Sequence, residues 1–344
     1  PSRPPIFAQT HPEAICENVS ETKHRRLVRG RHSATLDRER KPTASVRDTL
    51  HQILMYPPTR VLTSEEMDLV WTFRFFLTRY PEALTKFVKS VVWTDAEEAR
   101  QATDELLPMW AEPRLADTLE LLGPSFQHLQ VRAYAVRQLH RASNDQLELY
   151  LLQLVQALKF EDTAWNAASD EQRQVASTRL VDLLCERSTQ SHTLGTKLYW
   201  YVSVERIDGR YRELFARVDR QLQASLEESN RDLLILLKRQ RQFVHTLTTH
   251  KSELRVSRDA RPKKIEKLQD LLADRRKGLC SLVPPLSLPL DPDVYICGVI
   301  PDKSTVFKSN LFPWRLEFAV DGTSSTYAVI VNNGADRPQG HLLL

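Results

Sequence analysis

Residues 147–158 read Leu-Glu-Leu-Tyr-Leu-Leu-Gln-Leu-Val-Gln-Ala-Leu. Leu147, Leu151, Leu154, Val155 and Leu158 recur at the three- and four-residue spacing that lines one face of an α-helix. Ser143-x-x-Gln146 stands just ahead as a capping box, the hydroxyl accepting from an orphan amide while the Gln side chain reaches back. The stripe recurs at Leu84, Phe87, Val88, Val91 and Val92, and at Leu233, Leu236, Leu237, Val244 and Leu247. Further boxes are expected at Thr63-x-x-Glu66, Thr94-x-x-Glu97 and Ser169-x-x-Gln172. Stops are marked by Pro57-Pro58, Pro81, Pro108, Pro113 and Gly123-Pro124. Residues 45–275 are therefore predicted to be helical, with short connections. Thr63, Thr94 and Ser125 are evenly spaced without a repeated residue motif, which suggests stacked helix pairs, an α-solenoid of HEAT type. The segment around 65–77 is apolar almost all round (Met67, Leu69, Val70, Trp71, Phe73, Phe75, Phe76, Leu77), as a middle layer requires.

Composition agrees. Nine glycines in 344 residues is far below the usual ~7%, which argues against a turn-rich β-sandwich or a glycine-rich nucleotide fold over most of the length. Four of the nine (Gly298, Gly322, Gly334, Gly340) fall near the end, so that region is built differently. Hydrophobic residues at 41% permit a sizeable core, and the length suits about two domains. A net charge of +4 is too weak to demand a nucleic-acid partner. Cys16, Cys185, Cys280 and Cys297 contain no C-x-x-C pair and read as thiols of a reducing compartment. No apolar run is long enough to span a membrane. The opening Pro1-Ser2-Arg3-Pro4-Pro5 has neither a methionine nor a signal-type apolar stretch, so the sequence is expected to begin inside a longer protein.

Residues 1–44 are polar, with eight Lys/Arg between Lys23 and Lys41, and are expected to be a solvated linker. Residues 251–277 carry ten Lys/Arg against five Asp/Glu, with Leu254, Ile265, Leu268, Leu271 and Leu272 interleaved. That pattern fits a solvated helix face, with contact to anionic lipid as the sharper reading. Pro284-Pro285 and Pro289 then mark an extended linker. Trp314, Leu316, Phe318 and Val320 alternate with Arg315, Glu317 and Ala319, Asp321-Gly322 turns, and 327–331 returns, predicting a β-hairpin. The expected division is a linker over 1–44, a helical domain over 45–278 and a partial β-rich lobe over 279–344.

The chain contains no G-x-x-x-x-G-K-[ST], H-E-x-x-H or G-x-S-x-G, and no zinc-ligand spacing. On these grounds alone the reading stops at an α-solenoid joined to a β-rich lobe, an interaction scaffold. One constellation adds to it. Residues 304–313 read Ser-Thr-Val-Phe-Lys-Ser-Asn-Leu-Phe-Pro, a strand–turn–strand whose lysine and hydroxyl suit the covering of a nucleotide's phosphates.

Several stretches resemble the accessory helical domain of phosphatidylinositol 3-kinases of class III: 45–59 (S-V-R-D-T-L-H-Q-I-L-M-Y-P-P-T), 62–77 (L-T-S-E-E-M-D-L-V-W-T-F-R-F-F-L), 83–89, 131–139, 150–161 and 198–205. Residues 289–313 are similar to the entry to that family's kinase small lobe. The resemblance implies roles by position. Phe307 and Pro313 match residues lining the adenine pocket, Lys308 and Ser309 match hairpin residues over the ATP phosphates, and Ile330 matches an apolar residue of the pocket floor. The family strand V-I-F-K-x-G-D-D is here Val329-Ile330-Val331-Asn332-Asn333-Gly334-Ala335-Asp336, so Asn332 takes the place of the lysine that grips the α-phosphate. Residues 338–342 only faintly echo the next family motif, R-Q-D-Q-L. The catalytic D-R-H and metal-binding D-F-G motifs are not among these 344 residues, so no catalytic or metal-ligating residue is assigned. The resemblance further implies ATP and Mg or Mn as cofactors of the intact enzyme, with none expected to bind this chain tightly. It also implies phosphatidylinositol membranes as the surface visited, a kinase-like regulatory subunit and a beclin-type subunit as partners, and a cytoplasmic location, peripheral on endosomal or autophagic membranes. Two classes stay open: a piece of a lipid kinase, or a catalytically inert truncated paralogue serving as a helical scaffold.

Overall fold

The computed structural model describes Arg29 and residues 37–175, 178–309 and 312–332. The chain is mainly α, a helical region followed by a small antiparallel sheet. It divides into two compact units at Leu121/Leu122. Most of the expected linker, with Cys16, and the stretch 333–344 lie outside the described residues.

In the first unit, α1 (Ala44–Leu54) starts from Thr43, whose hydroxyl accepts from the Val46 amide. The Thr63 box forms as expected and starts α2 (Ser64–Thr72), with Thr63 N donating to Glu66 Oε2 at 2.7 Å and Glu66 N to Thr63 Oγ1 at 3.3 Å. A break at Phe73 separates α2 from α3 (Arg74–Leu77). Met67 and Leu69 of α2 are half-buried and Val70 and Trp71 fully so, the all-round cover expected of this segment. Next come α4 (Leu84–Ser90) and α5 (Ala96–Arg100). The box expected at Thr94 is replaced by Asp95, whose carboxylate accepts from the Glu97 and Glu98 amides at 3.0 and 3.1 Å. A charged acceptor at the positive end of the helix dipole outranks the neighbouring hydroxyl. A π-helical turn (Gln101–Leu106), α6 (Leu107–Met109) and α7 (Leu115–Glu120) complete the unit. At its centre Phe87 stacks between Trp71 and Trp110, at 6.2 and 4.7 Å.

This unit also buries charge. Arg74 donates to Asp37 at 2.8 Å, with both side chains at most 3% exposed. It donates further to Gln101 and to the Trp71 carbonyl. Arg29 donates to the Ser90 carbonyl at 2.8 Å and pairs with Glu98 at 3.1 Å. Burial holds the Arg74 guanidinium below its usual pKa and pushes the Glu98 carboxyl up. Two residues of the stretch expected to be solvated linker are thus interior. Removing one partner of a buried pair strands the other charge, at a cost of about 3–5 kcal/mol. Asp37→Ala should therefore destabilise the first unit by that order in chemical denaturation, and Asp37→Asn, which keeps an acceptor, by less.

The second unit comprises α8 (Leu129–Leu139), α9 (Asn144–Leu149), α10 (Leu151–Ala167), α11 (Asp170–Val175), α12 (Leu180–Gln190), α13 (His192–Glu205), α14 (Arg212–Ser229), α15 (Arg231–Val256) and α16 (Arg261–Ala273). The Ser143 box forms, Gln146 N to Ser143 Oγ at 3.2 Å and Ser143 N to Gln146 Oε1 at 3.0 Å. The stripe from Leu147 to Leu158 is divided between α9 and α10 by Tyr150 (φ −111°, ψ 10°), yet all five of its residues are buried. α12 packs against α13 and α14, and α10 against α13. A Cβ at Gly195 of α13 would stand 2.6 Å from the Ser188 carbonyl oxygen of α12, so this approach requires glycine.

Five strands follow: β1 (Leu286–Ser287), β2 (Tyr295–Val299), β3 (Thr305–Val306), β4 (Trp314–Val320) and β5 (Thr326–Val331), all paired antiparallel. β2 and β3 share one edge of β4, and β5 lies along the other. Among the described residues no strand covers the far edge of β5. The expected β4–β5 hairpin turns at Gly322, at φ +68°. One sheet face is dry: Trp314, Leu316, Phe318 and Val329 share a core with Phe243, Leu247 and Leu254 of α15 and Leu268 and Leu272 of α16.

Leu151 is fully buried. Leu151→Ala should cost about 2–5 kcal/mol, and Leu151→Asp more, by adding an unpaired carboxylate. Calorimetry checks this, and an unchanged melting temperature in Leu151→Asp would show that the packing around α10 is misread.

Candidate functional site

The candidate site grows from β3, β4 and β5. Thr305, Arg315 and Ile330 lie in register across these strands and share the face turned away from the core, while Val306, Trp314 and Val331 take the inner face. Ile330 is 43% exposed on that open face. Phe307, two residues beyond Thr305, is also exposed, and its amide donates to the Pro313 carbonyl at 3.0 Å, closing the base of the hairpin. Lys308 and Ser309 sit exposed at the tip. Phe312 takes φ +53° where the chain doubles back, and its amide donates to the Ser309 carbonyl at 3.0 Å. The hairpin thus holds Phe307 and Pro313 together, presents Lys308 and Ser309 to solvent, and sets Ile330 across the same face.

Helix α16 steadies this hairpin. Arg261 Nε donates to the Val306 carbonyl at 2.9 Å, Gln269 reaches the Ser304 carbonyl at 3.2 Å, and Lys264 Nζ lies 4.9 Å from the centre of the Phe312 ring. Sequence reasoning assigned none of these residues.

A cavity of about 620 Å³ opens on the helix side of β5, between it, α13 and α15. Trp200, Val204, Val244, Phe318, Val331 and Asn332 are among its lining residues. Of the five residues expected at a nucleotide site only Ile330 borders it, so this hollow is not where the hairpin points. Asn332, in place of the expected lysine, is half-buried, and its buried Oδ1 has no hydrogen-bond partner among the described residues. Lys251 of α15 is fully buried one residue away, its ammonium donating to the Val331 carbonyl at 2.8 Å. A signal for it existed: Leu247, Lys251 and Leu254 have the spacing of one helix face, so Lys251 interrupts an apolar stripe. Among the described residues no group of three or more His, Cys, Asp and Glu could hold a metal ion.

The architecture is a helical region joined to a small antiparallel sheet whose β3–β4 hairpin presents Lys308 and Ser309 to solvent. The family model described as "Phosphoinositide 3-kinase family, accessory domain (PIK domain)" matches residues 38–235. The chain belongs to the phosphoinositide 3-kinase family. It is 45% identical to Phosphatidylinositol 3-kinase pik3 of Schizosaccharomyces pombe, with 96% of this chain and 41% of that protein aligned. It is 36% identical to Phosphatidylinositol 3-kinase VPS34 of Arabidopsis thaliana (95% and 40%) and 32% identical to the VPS34 of Saccharomyces cerevisiae (94% and 41%). The chain thus spans about two-fifths of the length of these relatives. The resemblance drawn from the helices is borne out.

Burial, reinforced by the nearby Arg255 charge, lowers the Lys251 ammonium from 10.5 to about 8. Between those values the unfolded chain holds a proton that the folded chain has released, so this residue's contribution to stability rises with pH. Its charge therefore costs stability below about pH 8, and the cost is relieved as pH climbs toward 10.5. The stability difference between the parent and Lys251→Met should accordingly shift in the parent's favour over that window in denaturant titrations. A difference independent of pH would place the ammonium in water.

Proposed function

We propose that this chain is the helical accessory region and the start of the kinase small lobe of a class III phosphatidylinositol 3-kinase. The intact enzyme would transfer the γ-phosphate of ATP to the inositol 3-hydroxyl of phosphatidylinositol. The observation that carries the reading is the β3–β4 hairpin on a chain of this family: Phe307 and Pro313 joined at its base, Lys308 and Ser309 at its tip, Ile330 across the same open face. In this role Phe307, Pro313 and Ile330 would pack the adenine, and Lys308 and Ser309 would cover phosphates. Bound Mg or Mn would neutralise phosphate charge. Among the described residues no group of three or more His, Cys, Asp and Glu could hold it, and Asn332 brings no cation, so weak nucleotide binding is the expected property of these residues alone.

The domain division follows the packing in this proposal. The accessory-domain match ends at 235, and α15 and α16 share their core with the sheet. We place the start of the small lobe at α15 rather than at the change of texture at 278/279. Peripheral attachment to endosomal or autophagic membranes, and assembly with a kinase-like regulatory subunit and a beclin-type subunit, belong to the same proposal. No described helix is long and apolar enough to cross a membrane.

A second reading, an inert helical scaffold, is favoured by Asn332. An asparagine can donate a hydrogen bond but no charge, and losing one transition-state donor costs about 10²–10³ in rate. Sequencing the transcript beyond the codon for Leu344 separates the two. A frame encoding D-R-H and D-F-G supports the kinase, and a stop codon supports the scaffold. The purified 344-residue chain should transfer no labelled phosphate to phosphatidylinositol, and Asn332→Lys in it should change nothing. In a chimera carrying a complete large lobe, Asn332→Lys should raise turnover by about the same 10²–10³. Robust turnover by the unmodified short chain would overturn this reading.

A further inference from the structure

We propose that the cavity between α13, α15 and β5 binds a long-chain fatty acid, with its carboxylate at Lys238 and Arg241 and its alkyl chain running along α15. Lys238, Arg241, Val244, His245 and Thr248 all line the cavity and fall at the three- and four-residue spacing of one face of α15. At about 1.5 Å of rise per residue, the stretch from Lys238 to Thr248 is about 15 Å long, so the hollow is drawn out along the helix. Its two ends differ. Lys238 and Arg241 are exposed at one. Toward the other the wall is Val244 and Leu247 of α15, Phe318 of β4, and Val329 and Val331 of β5. Leu247, Phe318 and Val329 belong to the buried core, so a chain lying here would continue that core. The volume, about 620 Å³, falls within the ~300–1,000 Å³ usual for sites that enclose a small organic ligand.

The charge is one-sided. The lining includes Lys238, Arg241 and His245 and contains neither Asp nor Glu. Glu205, at the end of α13, is turned to Lys159 at 2.7 Å, and Asp291, next to Leu290 of the lining, lies 3.4 Å from the Tyr327 hydroxyl. Arg241 lies beside the Tyr199 hydroxyl, which occupies only part of a guanidinium with five N–H donors. A single anionic head with hydrocarbon behind it answers both ends: the cations at the mouth take the charge, and the aliphatic and phenyl walls take the chain. A nucleotide would need polar partners for its base and donors for several phosphates deep in the site, where the walls are apolar. This inference goes beyond the kinase reading and does not depend on it.

Titration of the whole chain with the fluorescent acid cis-parinarate, followed by displacement, tests it. Palmitate should displace the probe. Hexadecanol, with the same chain and no charge, should do so about tenfold less well, and ATP should not displace it. At roughly two- to fivefold for each exposed cation, Lys238→Gln with Arg241→Gln should weaken palmitate binding by about tenfold and leave hexadecanol unchanged. Palmitate brominated along its chain should quench tryptophan emission in the parent and far less in Trp200→Phe, since Trp200 is the tryptophan of the lining. Asn332→Leu, which makes the far end more apolar, should tighten palmitate binding, and Val244→Trp, which fills the hollow, should block it. Lys238 and Arg241 are exposed, so the double variant should keep the parent's melting temperature and decides the matter even if Val244→Trp fails to fold. Failure of palmitate to displace the probe, equal displacement by hexadecanol, displacement by ATP, full palmitate binding by the double variant, or loss of binding in Asn332→Leu would each overturn the proposal. None of these outcomes bears on whether a kinase domain follows.

Discussion

The interior depends on cations that close the ends of helices and strands. With so few glycines, the chain can seldom end a helix in the left-handed turn that satisfies its last carbonyls. Among the described residues that cap occurs at Gly278, after a short 3-10 turn. Elsewhere, side chains distant in sequence take over. Lys86 donates to the Tyr56 and Pro57 carbonyls just beyond α1, Arg29 to the Ser90 carbonyl that ends α4, and Arg187 to the His140 and Ala142 carbonyls beyond α8. Arg132, 2% exposed, serves Gly123, Phe126 and Ala157. Each is favoured twice, by the hydrogen bond and, at a helix end, by the negative pole of the dipole. Each also bears a desolvation cost, visible in Arg132, which burial lowers to about 10, and in the lowered Lys86.

The same device reaches the candidate site. Lys251 on the Val331 carbonyl and Arg261 on the Val306 carbonyl fasten the last residue of β5 and of β3 to the helix pair below. A buried relay adds a third tie: Trp200 donates to Gln240, which donates to the carbonyl and hydroxyl of Ser287 in β1. A second close contact sits where β2 meets the chain that leads to it. A Cβ on Gly298, at φ +152°, would stand 2.3 Å from the Cys280 carbonyl oxygen. The open face of the sheet is thereby set by groups on its closed face.

The sequence exposed what is local. Apolar stripes, two of the capping boxes and the β4–β5 hairpin were legible because each needs only neighbours within one turn or one strand pair. Asp95 displaced Thr94 because two good caps stood side by side. The cations were hard to see, since Arg29 and Ser90 are 61 residues apart and Lys251 and Val331 are 80 apart. The expected linker gave no hint that Asp37 would lie beneath Arg74, because a charged residue in a polar stretch looks the same whether or not an arginine waits for it. At the candidate site, resemblance named Phe307, Lys308, Ser309, Pro313 and Ile330, but the shared face of Thr305, Arg315 and Ile330 required the strand register.

The edge of β5 that no described strand covers bears on how the molecule behaves at high concentration. From Tyr327 to Val331 the strand has no charged side chain and no proline, the features that ordinarily keep an open edge from recruiting another. The Val331 carbonyl is occupied from below, by Lys251. Two copies meeting along this edge could extend the sheet across a dyad, so self-association of the separated chain would begin here rather than on the helices, whose apolar stripes are already covered.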